Sequence, residues 1–498
     1  MRLAFLGLAL TLAACPEPLG QHAAPPTGPV QPAARMSAPG TVDALSLQRP
    51  AAPEWFGLYL LGKKAGWART EQVRQERDGR DVVVLTSEGL ISATVGDRTV
   101  SRRVLEERTY EARAAGRLLA FRGEWSGDGG ARLVTGTCTL SGCQARVGDG
   151  PPRALGAVAE TLDLAEGERL CAARRATVSG PRLDLDKLAV EDVEYKFLRR
   201  EKLAGAGAEA EVSVVSEATL SERLAAEYLV ADDGRVLRVS MGGGVEQRLE
   251  SRETAQKLEA IDLFNLARVK LPGPLPRTVP ATIVFRVRGL PAAFQRPDGR
   301  QTFAPGLGGT VRLTVSARRP LAADPAKDTP RSAPSPDPAW VEATPTVDAD
   351  HPAIARLARQ VAGDVPGRYA AALKLSEHVH GRLQVAYGVS QDRASDVLAT
   401  GQGDCTEHSV LLVALARALG IPSRQVHGLV YARYSDGQDA LYWHAWTEVL
   451  SAGQWIAVDP TFGQPVADAT HVTLGQGLQS DAMGLLGALQ VEAVEVKP

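Results

Sequence analysis

Hydrophobic and polar positions alternate in short runs between residues 55 and 320, and turn-forming residues separate the runs. This period of two is typical of β-strands. The segment 226–240 shows it well, because its two runs meet at Asp232-Asp233-Gly234, and Asp-Gly readily adopts the positive φ of a tight hairpin turn. Many strands joined by short turns predict a large antiparallel sheet or a partial barrel. We therefore assign residues 54–320 to one or more antiparallel β-rich domains.

The alternation stops at residues 321–340, where prolines are too dense for a helix or for the interior of a sheet. We predict a linker there. Beyond it the apolar residues recur at helical spacing, as at Ile354, Leu357 and Val361. Residues 341–498 are therefore predicted to form a separate α+β domain, in which helices precede and cover further strands.

The N-terminus has the pattern of a secretory signal. Residues 1–14 contain Arg2 and then an apolar run that is too short to span a bilayer. The run ends in Leu-Ala-Ala-Cys15, which resembles the lipidation motif of bacterial lipoproteins, and Pro16 replaces the Asp that retains such proteins at the inner membrane. The resemblance implies a lipid anchor on Cys15 and the periplasmic face of the outer membrane; a plain secretory signal and a chance cysteine are the alternatives. Residues 15–53, rich in Pro and Ala, are predicted to be a tether.

Charge and composition exclude some classes of function. The 56 Lys and Arg residues nearly balance the 58 Asp and Glu residues, which gives a net charge of −2. Without a basic excess, nucleic-acid binding is not expected. The apolar content of 44% and the charged content of 23% are those of an ordinary globular protein.

Two cysteines flank a predicted turn in the β-rich region. Cys138 and Cys143 enclose Ser141-Gly142, so they could pair as a disulfide in an oxidising envelope. Half of a zinc site is the alternative, although no second cysteine pair accompanies it. Cys171 is predicted to be a buried apolar residue.

A third cysteine is a candidate nucleophile. Asp404 and Glu407 have the spacing of a capping box, which places Cys405 at the first position of a helix over 405–419. The helix dipole should stabilise a thiolate there and lower the pKa of Cys405. The free amides of the first turn could also bind an oxyanion.

A base and an orienting carboxylate follow in the expected order. Residues 441–450 and 455–460 are predicted to form an antiparallel hairpin, in which His444 and Asp459 lie on neighbouring strands. Together with Cys405 they would supply a nucleophile, a base and an orienting carboxylate.

Three ordered motifs carry a family resemblance. They are Gly403-Asp404-Cys405-Thr406-Glu407-His408, His444-Ala445-Trp446-Thr447-Glu448-Val449 and Val458-Asp459-Pro460-Thr461. Residues 341–475 thus resemble the transglutaminase-like core of the papain-like thiol enzymes. The resemblance implies helices packed on an antiparallel sheet, with Cys405 as nucleophile, His444 as base and Asp459 as orienting residue. Similar proteins include peptidases, amidases and cross-linking enzymes, so the resemblance does not choose the acceptor.

Structural alternatives exist for each candidate. Cys405 could be simply buried, His444 could be packed among tryptophans, and Asp459 could only form a turn. Trp443, Trp446 and Trp455 could belong to the core or form a platform for the substrate. Tyr387 could line the pocket. His408 and His427 could join Cys405 and His444 as metal ligands. No close-spaced ligand pair is present, so no metal is expected. The sequence shows neither a calcium loop nor a nucleotide-binding glycine motif, and no cofactor is expected.

The sequence therefore predicts an envelope-anchored thiol enzyme that acts on peptide or glutamine-type amide bonds, with a protein or peptide as substrate and a lipid anchor in the membrane. Hydrolysis is the favoured second half-reaction. The alternatives are a cross-linking transglutaminase, and a lipoprotein that binds or scaffolds while its triad is idle.

Overall fold

The computed structural model describes residues 42–95, 98–127, 130–186, 188–203, 210–219, 225–242, 244–276, 280–317, 319–344, 346–386, 393–433, 437–476 and 485–497. The strands are β1 Glu54–Leu60, β2 Lys63–Arg77, β3 Arg80–Val95, β4 Arg98–Glu111, β5 Leu118–Gly127, β6 Gly130–Thr139, β7 Gly142–Val147, β8 Arg153–Gly156, β9 Val178–Asp184, β10 Ala189–Leu203, β11 Ala210–Thr219, β12 Ala226–Ala231, β13 Val236–Ser240, β14 Val245–Glu250, β15 Thr282–Arg288, β16 Gln301–Pro305, β17 Val311–Ser316, β18 Gln384–Val385, β19 Gln402–Gly403, β20 Ser423–Arg433, β21 Asp439–Ser451, β22 Gln454–Val458, β23 Val472–Gln476 and β24 Gln490–Lys497.

The α-helices are α1 Leu162–Ala165, α2 Gly167–Arg174, α3 Arg252–Ala255, α4 Leu263–Ala267, α5 Pro352–Ala362, α6 Arg368–Arg382, α7 Ala394–Thr400 and α8 Cys405–Ala418. Short 3₁₀ helices cover Ala292–Phe294, Leu307–Gly309, Leu321–Ala323 and Pro338–Trp340. Within the described ranges, every helix is too short or too polar to cross a lipid bilayer.

The N-terminal half of the chain forms the large antiparallel sheet that the alternating pattern predicts. Within the described residues the strand order is β8-β7-β6-β5-β4-β3-β2-β1-β14-β13-β12-β11-β10-β9. Two meanders thus meet where β1 pairs with β14. The hairpin predicted at 232–234 joins β12 to β13, and Gly234 supplies the positive φ of 81°. The prediction of an antiparallel β-rich region ahead of a region in which helices pack on a smaller antiparallel sheet is confirmed.

Buried charges inside this sheet are paired with one another. The carboxylate of Glu160 lies 3.0 Å from the guanidinium of Arg108 and also accepts a hydrogen bond from the hydroxyl of Tyr110. Glu217 is bound in the same way by Arg182 and Tyr228. Such pairing satisfies groups that would otherwise destabilise the interior.

A second sheet connects the β-rich region to the end of the chain. Its order is β16-β17-β15-β24, so that β15 pairs with the C-terminal strand. This sheet packs against the strands of the C-terminal region, and the two share one apolar core. The core includes Phe285 and Leu313 from one side and Leu429, Leu441 and Leu474 from the other. Residues before and after the predicted boundary at 321–340 therefore contribute to the same apolar core.

The proline-rich segment 321–340 has little regular structure, as predicted, but it is fastened to the helices. Both carboxylate oxygens of Asp328 accept backbone N–H groups at the start of α6, from Tyr369 and Ala370, each at 3.0 Å. The side chain of Arg331 donates to two carbonyl groups that precede α6. The segment is thus a strap over the helical layer instead of a free linker between domains.

The C-terminal region places helices on a small sheet. Its strand order is β22-β21-β20-β23, and all of these pairings are antiparallel. Helices α5 to α8 surround a core that contains Leu375, Leu411 and Leu415. Helix α8 lies against β20 and β21, and this contact positions the candidate site.

Candidate active site

The nucleophile helix begins as its sequence predicts. The carboxylate of Asp404 accepts the backbone N–H of Thr406 at 2.9 Å, and Glu407 Oε2 accepts the backbone N–H of Asp404 at 2.9 Å. The predicted capping box is therefore present, and Cys405 occupies the first position of α8. The backbone of the catalytic candidate is thus fixed from both sides by its neighbours.

Helix α8 is tied to the strand that carries His444. One turn after Cys405, the Ser409 hydroxyl donates to the Trp446 carbonyl at 2.8 Å, and it lies 3.0 Å from the Thr447 hydroxyl. Trp446 is two residues beyond His444 on β21. The backbone amide of Ala445, the residue after His444, also interacts electrostatically with the Cys405 thiol and acts to lower its pKa. These contacts bring the sulfur to the part of β21 that contains His444.

His444 and Asp459 meet as predicted, although not as directly opposed residues. The last paired residue of β22 is Val458, opposite Thr447, and Asp459 follows at the end of the strand. His444 Nε2 lies 2.8 Å from Asp459 Oδ2, and both side chains are buried. An ionised carboxylate can only accept a hydrogen bond, so Nε2 carries the hydrogen and Nδ1 is left to act as a base.

Asp459 is held by four donors. Its Oδ1 accepts the backbone N–H groups of Thr461 and Phe462 at 2.7 and 3.1 Å, and its Oδ2 lies 2.9 Å from Nε2 of His471 as well as bonding His444. Burial acts to raise the pKa of this carboxyl, but the two histidines outweigh it and hold the pKa well below its usual range. Asp459 is therefore a carboxylate throughout the neutral range.

The protonation of Cys405 differs from the sequence-based expectation. We predicted that the helix N-terminus lowers the pKa of this thiol. In the structure Cys405 is only partly buried, but desolvation by the surrounding protein raises the pKa of its thiol well above the ordinary value and the adjacent Asp404 raises it further, while the Ala445 amide opposes them. Desolvation and a neighbouring negative charge thus outweigh the helix dipole. These effects favour the protonated thiol in the free protein.

The two capping carboxyls also depart from ordinary titration. Burial raises the pKa of Asp404, while the hydrogen bond with Glu407 opposes that shift. Burial, and then the charge of Asp404, raise the pKa of Glu407 well above its usual range. The arrangement therefore favours a protonated Glu407 beside an ionised Asp404, and the pair carries one negative charge close to the thiol.

A second histidine, His471, was missed by the sequence analysis. It lies after β22 and just before β23, with its Nε2 2.9 Å from Asp459 Oδ2 and its Nδ1 3.1 Å from Asp468 Oδ1. The site is thus a chain of groups that runs from Asp468 through His471 and Asp459 to His444. The scarcity of histidine, eight residues in the whole chain, is the one sequence signal that could have drawn attention to it.

Aromatic rings enclose the His444 imidazole. Phe462 stacks on it at a centroid distance of 4.8 Å and an angle of 12°, and Trp446 lies 6.0 Å away on the buried side. Phe462 remains 43% exposed, so it forms the outer wall of the site. Trp443 points to the other face of β21 and donates to the Ala267 carbonyl, and Trp455 stacks with Arg424; neither lies beside the His444 ring.

The histidines considered as metal ligands do not gather around Cys405. His408 is buried, and its Nδ1 lies 2.7 Å from the Asp404 carbonyl oxygen. His427 is paired with Ala445, so its side chain leaves the opposite face of the sheet from His444. A different trio, His444, Asp459 and His471, has ligand-type atoms within 4.8 Å of one another.

The remaining predicted residues lie elsewhere. Cys138 and Cys143 form a disulfide across β6 and β7. Cys171 is buried, and burial raises the pKa of its thiol to about 12. Cys15 and Tyr387 fall outside the described residues.

Comparison with known proteins identifies one region. Residues 355–460 match the sequence profile described as the transglutaminase-like superfamily, whose members are generally cysteine-dependent enzymes. No curated protein matches the chain significantly.

Several solved structures show local similarity. A candidate cysteine protease from Cytophaga hutchinsonii is 18% identical with a TM-score of 0.29, over 44% of this chain and 84% of that one. The periplasmic domain of TgpA from Pseudomonas aeruginosa, bound to ethylmercury, is 18% identical with a TM-score of 0.23, over 38% and 91%. A β-barrel-like protein of unknown function from Brucella abortus is 8% identical with a TM-score of 0.32, over 40% and 95%. Because these TM-scores are low, the proposals below draw on the family match and the site geometry.

Proposed function

We propose that the region similar to the transglutaminase-like superfamily, matched at residues 355–460, cleaves peptide or glutamine-type amide bonds with Cys405 as nucleophile, His444 as base and Asp459 as orienting residue. The observation that carries this proposal is the buried hydrogen bond between His444 Nε2 and Asp459 Oδ2, on a strand tied to the helix that begins at Cys405. That bond leaves the other ring nitrogen available to the thiol.

The first half-reaction makes a thioester. His444 Nδ1 takes the proton of the Cys405 thiol as the sulfur attacks the carbonyl carbon of the amide. The carbonyl oxygen becomes an oxyanion, for which the backbone amide of Cys405 is the proposed donor. The C–N bond then breaks, and His444 returns the proton to the leaving amine or ammonia.

The second half-reaction regenerates the thiol. Water attacks the thioester carbon while His444 accepts one proton from it, and the C–S bond then breaks as His444 returns that proton to the sulfur, which gives a carboxylic acid and the Cys405 thiol. We favour this hydrolytic route. An amine in place of water would give a new amide and therefore a cross-link, by the same proton transfers.

We further propose that the enzyme works in the cell envelope, tethered through a lipid on Cys15, with a protein or peptide as substrate. The disulfide between Cys138 and Cys143 supports this location, because such bonds persist in oxidising compartments.

The test uses the full-length protein and two variants, Cys405→Ser and His444→Ala. Iodoacetamide should alkylate Cys405 in the wild type, and the rate should fall strongly in His444→Ala. Mass spectrometry of envelope peptides incubated with wild type, and not with Cys405→Ser, should show new termini. Loss of ammonia with joined peptides would instead indicate transamidation.

The idle-triad alternative gives a different result. If His444 does not activate the sulfur, alkylation of Cys405 should proceed at the same rate in wild type and His444→Ala. The envelope peptides incubated with either protein should then show the same termini as those incubated with Cys405→Ser. That outcome would refute the enzymatic proposal.

A further inference from the structure

His471 is completely buried between two carboxylates that both have other donors. Asp468 Oδ1 accepts the Thr470 backbone N–H at 2.8 Å, and its Oδ2 accepts the side-chain amide of Gln464 at 2.8 Å. Asp459 Oδ1 accepts two backbone amides. Both acids are therefore bound as carboxylates, and each offers an acceptor to one nitrogen of the His471 ring.

A neutral imidazole has only one N–H. Because both nitrogens of His471 face carboxylate oxygens, at 2.9 and 3.1 Å, both are donors only if the ring is an imidazolium. The same two carboxylates raise the pKa of His471 against the effect of burial. The hydrogen-bond geometry and the charges thus agree on a cation inside the site.

We propose that His471 is a positioning residue of the catalytic site: a buried imidazolium that fixes the Asp459 carboxylate and shares that carboxylate with His444. This inference rests on the proposed function. With His471 present, the Oδ2 atom of Asp459 accepts hydrogen bonds from two imidazole rings instead of one.

The charged groups around His471 come from several elements. Asp468 belongs to the same loop, Asp459 follows β22, and His444 on β21 has its ring centroid 5.7 Å away. Arg300, which precedes β16, donates to the Asp468 backbone carbonyl at 2.6 Å. The Cys405 thiol lies within electrostatic reach of Asp459.

The sign of the effect follows from these positions. A cation next to Asp459 repels the imidazolium that His444 becomes when it accepts the thiol proton, so removing the cation should favour the thiolate–imidazolium pair of Cys405 and His444. Coulomb's law over the 5.7 Å between the two ring centroids, with an effective dielectric constant of about 20, gives a change of about a hundredfold in the population of that pair, and the opposing charge of Asp468 lowers it.

A metal ion is the competing occupant of the same groups. His444, Asp459 and His471 have ligand-type atoms within 4.8 Å of one another, and histidine with carboxylate suits zinc. We favour protons, because each of these atoms already takes part in a short hydrogen bond and the three side chains are buried.

The test measures the rate of Cys405 alkylation by iodoacetamide against pH in the full-length protein. His471→Gln removes the charge, and His471→Lys keeps it at a similar side-chain length. His378→Gln is the matched control on α6. His444→Ala shows which limb of the pH–rate profile depends on His444. In His471→Gln we expect the apparent pKa of the acid limb to rise by about one unit and the plateau rate to rise up to about tenfold. His471→Lys and His378→Gln should stay close to wild type.

Several results would overturn the proposal. One is an unchanged acid-limb pKa in His471→Gln with a lower plateau, which would mean a purely structural role. Another is identical behaviour of the Gln and Lys variants. A third is one zinc ion per chain, bound by wild type and lost in His471→Gln.

A measurement on wild type covers the case in which the variants fail to fold. With ¹³C-labelled histidine, one Cε1 signal should keep the imidazolium position from pH 6 to 8.5, and the absence of such a signal would overturn the proposal. If His444→Ala alkylates like wild type, the proposed function fails, while this signal still decides the charge of His471.

Discussion

Asp459→Asn separates the roles of the carboxylate, because the substitution keeps the shape and changes one atom. The amide oxygen can still accept the N–H groups of Thr461 and Phe462. The amide NH₂ then faces His444 and His471, where Oδ2 accepted both rings at 2.8 and 2.9 Å. Two charge-assisted hydrogen bonds of about 1.5–3 kcal/mol each are lost, so the free energy of unfolding should fall by about 3–6 kcal/mol.

The larger expected effect is on reactivity. An NH₂ group next to His444 Nε2 favours the tautomer with hydrogen on Nδ1, and that nitrogen can then no longer accept the thiol proton. In a comparable serine protease triad, Asp→Asn lowers kcat about 10⁴-fold by this tautomer change. We expect alkylation of Cys405 near pH 7 to slow by at least about 10²-fold in the folded protein.

The assay is the iodoacetamide rate of the folded fraction, with urea unfolding measured alongside it. Asp468→Asn is the matched control, because Asp468 bonds His471 and does not touch His444. It should lose stability with a much smaller change in rate. If Asp459→Asn is folded and alkylates as fast as wild type, the assignment of Asp459 as the residue that orients His444 is wrong.

Other changes test the remaining parts of the structure. Asp404→Asn keeps a good N-cap residue but removes the charge that raises the pKa of Cys405, so alkylation above pH 7 should become faster; a slower rate would contradict the electrostatic explanation. The pKa values of Asp459 and Asp468 are depressed in the folded state, so their contribution to stability is present above the unfolded value of about 3.9 and is lost as the pH falls through the folded values. The free energy of unfolding, measured with urea, should therefore fall below about pH 4 more steeply in wild type than in Asp468→Asn. Parallel pH dependences would count against this electrostatic contribution. A fragment of residues 341–498 lacks the partner of its last strand and should show no cooperative unfolding transition, whereas a fragment of 268–498 should show one.

The parts of the site that sequence predicted are those set by local rules. The capping box at Asp404 depends on residues three positions apart, and the hairpin of β21 and β22 depends on a short turn. Both were predictable because contacts between near neighbours leave their pattern in the sequence. The pKa of Cys405 was not, because burial and the charge of Asp404 relative to the sulfur arise only when α8 packs against the sheet.

The position of His471 was also not predictable from local sequence. It reaches Asp459 over twelve positions, through a segment of irregular backbone that has no periodicity to interpret. Only the pairing of β23 with β20 returns the chain to the site. Gly428 on β20 permits this approach, since a side-chain carbon there would lie 1.8 Å from the Val472 carbonyl oxygen.

The sheet formed by β15, β16, β17 and β24 explains why the C-terminal region should not be treated as a domain that can be separated from the rest of the chain. Gln301 on β16 holds Thr473 by both ends of its amide, accepting the backbone N–H at 3.0 Å and donating to the carbonyl at 2.8 Å. Thr473 is two residues from His471, and Arg300 holds the carbonyl of Asp468 in the same segment. Strands encoded before residue 320 therefore fix the loop that carries the second histidine. The β-rich part of the chain thus helps to fix the position of His471, and through it that of Asp459 and of His444, the proposed base.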